Sequence, residues 1–250
     1  MRVAALYDIH GNLPALEAVL AEVEETEPDV VVVGGDVVLG PMPSETLELL
    51  LGLGERALFV RGNCDRLMNE GTTESGLNAD RARWSAEQLD RGQRAWLAGL
   101  PDTQSVDVDG LGATLFCHGS PRSDEEILTA ISSDLRVAEA VEGVSEPVVV
   151  CGHTHVQFDR LAADKRLVNA GSVGMPYESV PGAYWALLGP GLELRRTDYD
   201  REAAAAAIRT TSFPDANEFA EENVLTIPSG HEATELFERM ANTESPPEGE

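Results

Sequence analysis

Two aspartates, one asparagine and four histidines stand in short segments that each close an apolar run. The segments are Asp8-Ile9-His10, Gly34-Gly35-Asp36, Arg61-Gly62-Asn63-Cys64-Asp65, Cys117-His118-Gly119 and Cys151-Gly152-His153-Thr154-His155. Hard oxygen donors mixed with imidazole nitrogens suit Mn, Fe, Zn, Ni or Co ions. Seven such donors exceed what one tetrahedral ion takes and match two ions sharing a carboxylate. Two ions roughly 3.5 to 4 Å apart hold a hydroxide between them and stabilise both the attacking and the leaving oxygen of a phosphoryl transfer. A lone histidine is more often structural than a ligand, but His10, His118, His153 and His155 are four of the five in the chain and all sit in such segments. His231 stands apart and reads as a surface residue.

The elements that must position these donors are legible as apolar runs. Residues 3 to 8 read as a buried strand, followed by a helix from Leu13 to Glu25 with Leu16, Val19, Leu20 and Val23 at helical spacing. Asn12 and Pro14 mark its start. Asp29 to Val33 predicts a second strand, Ser44 to Leu51 a helix, and Ala57 to Val60 a third strand. Strands alternating with helices predict a mainly parallel sheet covered on both faces. In such a sheet ligands bind beyond the carboxyl ends of the strands, so all five segments converge on one site.

Further along, residues 69–78 read as a loop and 79–100 as helical; together 69–100 form a cap-like insertion over the site. Gln104 to Gly110 and Ala113 to Gly119 predict a hairpin, and Asp124 to Val141 a polar helix. Strands follow in PVVVCG, at Arg166–Asn169 and at Ala183–Leu188, with Leu192 to Arg195 at an edge. EAAAAAI turns helical. Residues 1–241 are expected to form a single domain, and 242–250 a disordered acidic tail.

The order DxH, GD, GNCD, a histidine, then GHTH resembles the calcineurin-like metallophosphoesterase superfamily, and its small bacterial and archaeal phosphodiesterase branch in particular. VNAGSVGMP is similar to a further segment of that branch, and the resemblance runs from Arg2 to about Leu188. It implies an α/β (α+β) fold built as a two-layered β-sandwich flanked by helices. It implies that Asp8, His10 and His155 hold one metal, that Asn63, His118 and His153 hold the other, and that Asp36 bridges them, with manganese the first candidate. Asn12 and the amides of Gly11 and Asn12, at a helix start, are expected to face the substrate phosphate, as is Asn63. Arg61 and Arg122 offer bidentate geometry for a phosphate, against the ordinary reading of each as a surface charge. Of these, Arg122 is kept as a substrate-binding candidate.

Where many relatives carry histidine in GNHD, this chain has Cys64, at the position of the presumed general acid. A thiol with an ordinary pKa of about 8.5 matches neutral pH less well than imidazole. Catalytic candidates are therefore Cys64 itself and Asp65, through a water bound beside it. The expected activity is hydrolysis of a small phosphorylated metabolite or nucleotide. The rival readings are a protein or dinucleoside-polyphosphate phosphatase, and a non-catalytic metal-bound scaffold.

Composition narrows the partners. With 44 acidic residues against 18 basic ones and a formal charge of −26, the surface repels nucleic-acid backbones, so extended DNA or RNA is not the expected substrate. No apolar stretch is long enough for a membrane span, and no secretion signal fits the start. Three cysteines without paired spacing predict free thiols in the cytoplasm. A homo-oligomer is compatible with this sequence.

Overall fold

A computed structural model of the chain describes residues 1–72 and 75–244. Ten strands form two five-stranded sheets among these residues. The first sheet runs through Val3–Leu6 (β1), Val30–Val33 (β2) and Ala57–Phe59 (β3), with Ala183–Leu188 (β9) and Leu192–Thr197 (β10) on the other side of β1. β1, β2 and β3 are parallel, β9 runs antiparallel to β1, and the spatial order is β10-β9-β1-β2-β3.

The second sheet contains Thr103–Val108 (β4), Gly112–Cys117 (β5), Val148–Cys151 (β6), Phe158–Ala162 (β7) and Lys165–Asn169 (β8), in the order β4-β5-β6-β8-β7. Its three central strands are parallel and its edges antiparallel. Both sheets are therefore mixed, which corrects the expectation of one mainly parallel sheet. The hairpins β4–β5, β7–β8 and β9–β10 have connections too short for a crossover helix, so their strands can only pair antiparallel.

Alternation along the strands builds the two layers. Val3, Ala5 and Tyr7 point inward with Val32, Ala186 and Leu188 against Val106, Phe116, Val148, Val150 and Val168 of the second sheet. Ala4, Leu6, Val31 and Val33 point the other way, onto Leu13–Thr26 (α1) through Leu16, Val19, Leu20 and Val23, and onto Pro43–Leu51 (α2). The far face of the second sheet is covered by Asp134–Ala140 (α6) through Val137 and Ala140. The expected two-layered sandwich flanked by helices is thus the fold.

Three local expectations are corrected. The helix expected over 124–141 is confined to α6, because side chains in 123–132 bond to nearby backbone instead: Thr129 N–H donates to Ser132 Oγ at 2.9 Å and Glu125 N–H to Ser123 Oγ at 3.2 Å. The insertion begins with a helix, Asn63–Glu70 (α3), and continues as Leu77–Gln88 (α4) and Arg91–Ala98 (α5); residues 73 and 74 of the expected loop lie outside the described residues. α4 and α5 separate because Asp90 caps the second through a reciprocal pair, Gln93 N–H to Asp90 Oδ1 at 2.8 Å and Asp90 N–H to Gln93 Oε1 at 2.9 Å. Strand β7 escaped notice because Leu161, at 81% exposure, points to solvent and breaks the apolar alternation.

After β10 the chain folds into Arg201–Arg209 (α7), Ala216–Ala220 (α8), a π-helical turn at Glu221–Leu225 and Gly230–Glu244 (α9). Residues 242–244, expected in the tail, are helical, and 245–250 lie outside the described residues. A latch ties α9 to α6 and the segment before it: Arg136 donates to Glu238 Oε2 at 2.9 Å, and Thr129 Oγ1 and the Ser132 hydroxyl donate to Glu238 Oε1.

Candidate metal centre

Each donor segment follows the carboxyl end of its strand. The loops after β1 and β2 are laced together: Asp8 N–H donates to Gly35 O at 3.1 Å, His10 N–H to Asp36 O at 2.9 Å and Gly11 N–H to Val37 O at 2.9 Å. The loop after β8 joins them through Ser172 Oγ, which donates to Asp8 O at 2.7 Å. Asp8, His10, Asp36, His153 and His155 all adopt left-handed backbone conformations, with φ between 49° and 65°. Non-glycine residues rarely hold that region, and such strain gathers where a protein must aim side chains inward. Close backbone packing is enforced by glycine: a Cβ on Gly152 would lie 2.5 Å from Asp8 Oδ2, and one on Gly62 2.2 Å from Asp36 Oδ1.

The side chains converge. His155 Nε2 lies 3.4 Å and His118 Nε2 3.8 Å from Asp8 Oδ1; His118 Nε2 lies 3.5 Å and His10 Nε2 3.8 Å from Asp36 Oδ2. Asn63 Oδ1 lies 3.1 Å from His118 Nε2. His153 stacks edge-on to His118, with centroids 5.3 Å apart, and its N–H donates to Asp8 Oδ2 at 2.9 Å. Three imidazoles are oriented by backbone carbonyls at Nδ1: His10 by Leu39 at 3.1 Å, His118 by Gly34 at 2.8 Å and His155 by Met175 at 2.7 Å. The carbonyl at Nδ1 turns Nε2 of each ring toward the cluster, the arrangement that orients ligating histidines.

Two observations show that this donor set fits cations. Asp8 Oδ1 is buried and has no hydrogen-bond partner, although an unpaired buried carboxylate oxygen is costly. His10 Nε2 and His155 Nε2 face each other at 3.2 Å, where two lone pairs repel unless a proton or cation sits with them. Asp8, His10 and His155 form one compact group of ligand atoms, and Asp8, Asp36 and His118 another.

The electrostatics follow from carboxylates and imidazoles crowded out of water. Burial lowers His118, but Asp36 and Asp8 outweigh it and push the imidazole up to about 10. Burial opposes ionisation of Asp36 and Asp8, yet His118 beside the first and His155 beside the second hold both carboxyls below their usual range. Burial and the neighbouring His118 push His153 down to about 4.

Other sequence-predicted residues fall elsewhere. Asn12 is buried and occupied within the chain: its Oδ1 caps α1 by accepting from Ala15 N–H at 3.3 Å, and its Nδ2 donates to Gly174 O at 3.0 Å. Arg122 likewise has partners within the chain. It is bound by Glu126 through Nε at 2.9 Å and a terminal nitrogen at 2.6 Å, and it lines a separate cavity of about 250 Å³ on the far side of His118. Arg61 lines that same cavity and pairs with Asp102 at 2.5 Å. Asp65 is a brace: its Oδ2 accepts Asp36 N–H at 2.9 Å and Gly62 N–H at 3.1 Å, and its Oδ1 accepts Val37 N–H at 2.9 Å. Three of its roughly four acceptor positions are taken by these amides, so the task the structure shows for it is to hold the Asp36 loop.

Cys64 does reach the cluster, with its thiol in a group with His10 and Asp36. Burial, then the charge of Asp36, push that thiol well above its usual range, so it holds its proton too firmly for an acid working near neutrality. Replacing Cys64 by alanine is therefore expected to change kcat on an aryl phosphodiester by less than about threefold. A loss of about 10²-fold or more, the ordinary worth of a general acid, would restore the thiol to the chemistry.

The cluster floors a cavity of about 570 Å³ that sequence reasoning did not foresee. Its walls come from Leu67, from Arg81 and its neighbours on α4, from Met175 and Tyr177 after β8, and from Phe213, Phe219, Glu222 and Phe237 near the C-terminus. The only sequence cue was a set of aromatics scattered through a polar stretch without helical or strand periodicity.

A two-layered sandwich with strand-end loops gathering buried histidines and aspartates defines a class of hydrolase-type metal site. Residues 1–188 match the family model of the calcineurin-like phosphoesterase superfamily domain, and the chain belongs to that superfamily. It is 26% identical over 235 residues to the uncharacterized protein MJ0912 of Methanocaldococcus jannaschii, covering 85% of this chain and 94% of that one. It is 25% identical over 196 residues to the phosphodiesterase YfcE of Escherichia coli, covering 75% and 87%. Among solved structures, a metallophosphoesterase from Sphaerobacter thermophilus superposes with a TM-score of 0.73 at 25% identity, covering 90% of this chain and 98% of that one. The hypothetical protein PH1004 of Pyrococcus horikoshii shares the fold with a TM-score of 0.77 at 21% identity, covering 88% and 97%.

Proposed function

We propose that this chain is a metal-dependent phosphoesterase, in the first place a phosphodiesterase, acting on a small phosphorylated metabolite or nucleotide. The observation that carries the reading is the buried, unpaired Asp8 Oδ1 facing the Nε2 atoms of His155 and His118, next to the Asp36 carboxylate. Asp8, His10 and His155 would hold one divalent ion, Asn63, His118 and His153 a second, and Asp36 both, with manganese the first candidate. When bound, two such ions supply an activated water and neutralise charge on the phosphoryl group. The chain's own residues do the rest: backbone carbonyls fix the imidazoles, Asp65 rigidifies the Asp36 loop, and the cavity walls exclude bulk water. The phosphodiesterase name of YfcE supports the choice of diesters.

Among the described residues no helix is long and apolar enough to cross a membrane. The cysteines Cys64, Cys117 and Cys151 are free, which fits a reducing compartment such as the cytoplasm.

Ions that bind only the folded state stabilise it by about 2.7 kcal/mol at a hundredfold excess over Kd. Saturating manganese is thus expected to raise Tm by about 5 to 10 °C for a chain of this size, reversed by a chelator. Equal melting curves with manganese and with chelator would count against the ligand assignment. Hydrolysis of bis(p-nitrophenyl) phosphate with added manganese tests the activity itself, and a rate no higher than that of buffer with manganese would overturn it.

A further inference from the structure

Part of the wall of the large cavity comes from segments that the superfamily domain, residues 1–188, does not include. Phe213, Phe219 and Phe237 enter from α7–α9 and their connections, and Glu222 and Asn223 enter from the π-helical turn. A π-helical turn inside helical structure frequently marks a functional position. The latch of Glu238 with Arg136, Thr129 and Ser132 stands one residue beyond Phe237 and fixes the helix that carries that ring.

The rings are arranged as a stair from floor to mouth. His155 and Tyr177 lie 4.9 Å apart, tilted by 32°; Tyr177 and Phe237 lie 6.2 Å apart, tilted by 25°. Tyr177 and Phe237 stack on one another, and His155 meets Tyr177 in turn, so the three rings run in series along one side of the cavity. Across the cavity Arg81 lies over the Phe213 ring at 5.7 Å and donates to Pro214 O at 3.5 Å, and no carboxylate among the described residues pairs with it. Arg81 is half-buried and lines the cavity, which places a guanidinium donor at its edge in a chain of charge −26. Apolar ring faces together with amide, carboxylate and guanidinium groups at the edges suit a flat heteroaromatic ring, stacked on its face and hydrogen-bonded on its rim. A sugar or an alkyl alcohol would use the rim and waste the faces.

We propose that the C-terminal helices convert the superfamily site into one selective for phosphate esters of nucleosides, with the base continuing the ring series by stacking on Phe237 and its edge met by Arg81, Glu222 and Asn223. This rests on the phosphoesterase reading above for the position of the phosphate. Phe237 is then a specificity-determining residue that never touches the reacting atoms.

Equilibrium dialysis of the protein as purified, with adenosine 5′-monophosphate and with ribose 5-phosphate, tests this without turnover. The nucleotide is expected to bind at least about tenfold tighter, the lower end of what stacking on aromatic side chains provides. In Phe237→Ala that ratio is expected to fall to about twofold, while Phe237→Tyr retains it and Phe237→Leu, which keeps apolar bulk without a ring face, does not. Equal affinities in the unaltered protein, or a ratio that survives both Phe237→Ala and Phe237→Leu, would overturn the proposal. Circular dichroism of each variant separates loss of the wall from loss of the fold. Failure to hydrolyse any diester with manganese would strike the phosphoesterase reading instead, since the binding ratio is measured independently of it.

Discussion

Replacing Asp36 by asparagine is expected to lower manganese-dependent hydrolysis of a phosphodiester by at least about 10³-fold while leaving the fold intact. The two carboxylate oxygens have separate duties. Oδ1 accepts Cys64 N–H at 2.8 Å, and an asparagine oxygen can keep that bond. Oδ2 faces His118 Nε2 at 3.5 Å and His10 Nε2 at 3.8 Å, where the amide would place an uncharged NH₂ against two imidazoles. The substitution therefore removes the charge shared by both halves of the donor set and preserves the local backbone. Steady-state rates together with metal content distinguish the outcomes: activity within tenfold of the unaltered protein would contradict a role for Asp36 between two ions.

The second large effect falls on stability. Asp65→Ala is expected to lower the free energy of unfolding by about 3 to 9 kcal/mol, because it orphans the buried N–H groups of Asp36, Val37 and Gly62 at roughly 1 to 3 kcal/mol each. That is a large share of the about 5 to 15 kcal/mol by which proteins are ordinarily stable. Activity is expected to fall as well, since these amides hold the left-handed Asp36 in place. Asp65→Asn, with one acceptor oxygen left, should lie between. Urea unfolding with a loss below about 1 kcal/mol for the alanine variant would show that Asp65 is not the brace of this loop.

How much of this was legible in the sequence differs from element to element. The apolar runs of β1, β2 and β6 and the spacing of Leu16, Val19, Leu20 and Val23 identified the core because burial on one face dictates residue type. The donor segments were legible because each sits at a strand end, and loops there are aimed at one place. The roles of Asn12, Asp65 and Arg122 were not. A side chain in a motif can serve the substrate or the loop, and only its hydrogen-bond partners decide: Asn12 spends its amide on α1 and Gly174, and Arg122 its guanidinium on Glu126. The positive φ angles at Asp8, His10, Asp36, His153 and His155 leave no mark on residue type, because tertiary hydrogen bonds rather than local preference hold them. The cavity walls were hidden for the same reason. Tyr177, Phe213 and Phe237 share no period and come to line one cavity only through the tertiary fold.

All of the chemistry depends on whether the strand-end donors grip two cations around Asp36. Anomalous diffraction from crystals grown with manganese measures this directly. Two peaks about 3.5 to 4 Å apart are expected, one against Asp8, His10 and His155, the other against Asn63, His118 and His153, with the Asp36 carboxylate touching both. A single peak, or manganese bound away from these side chains, would contradict the account.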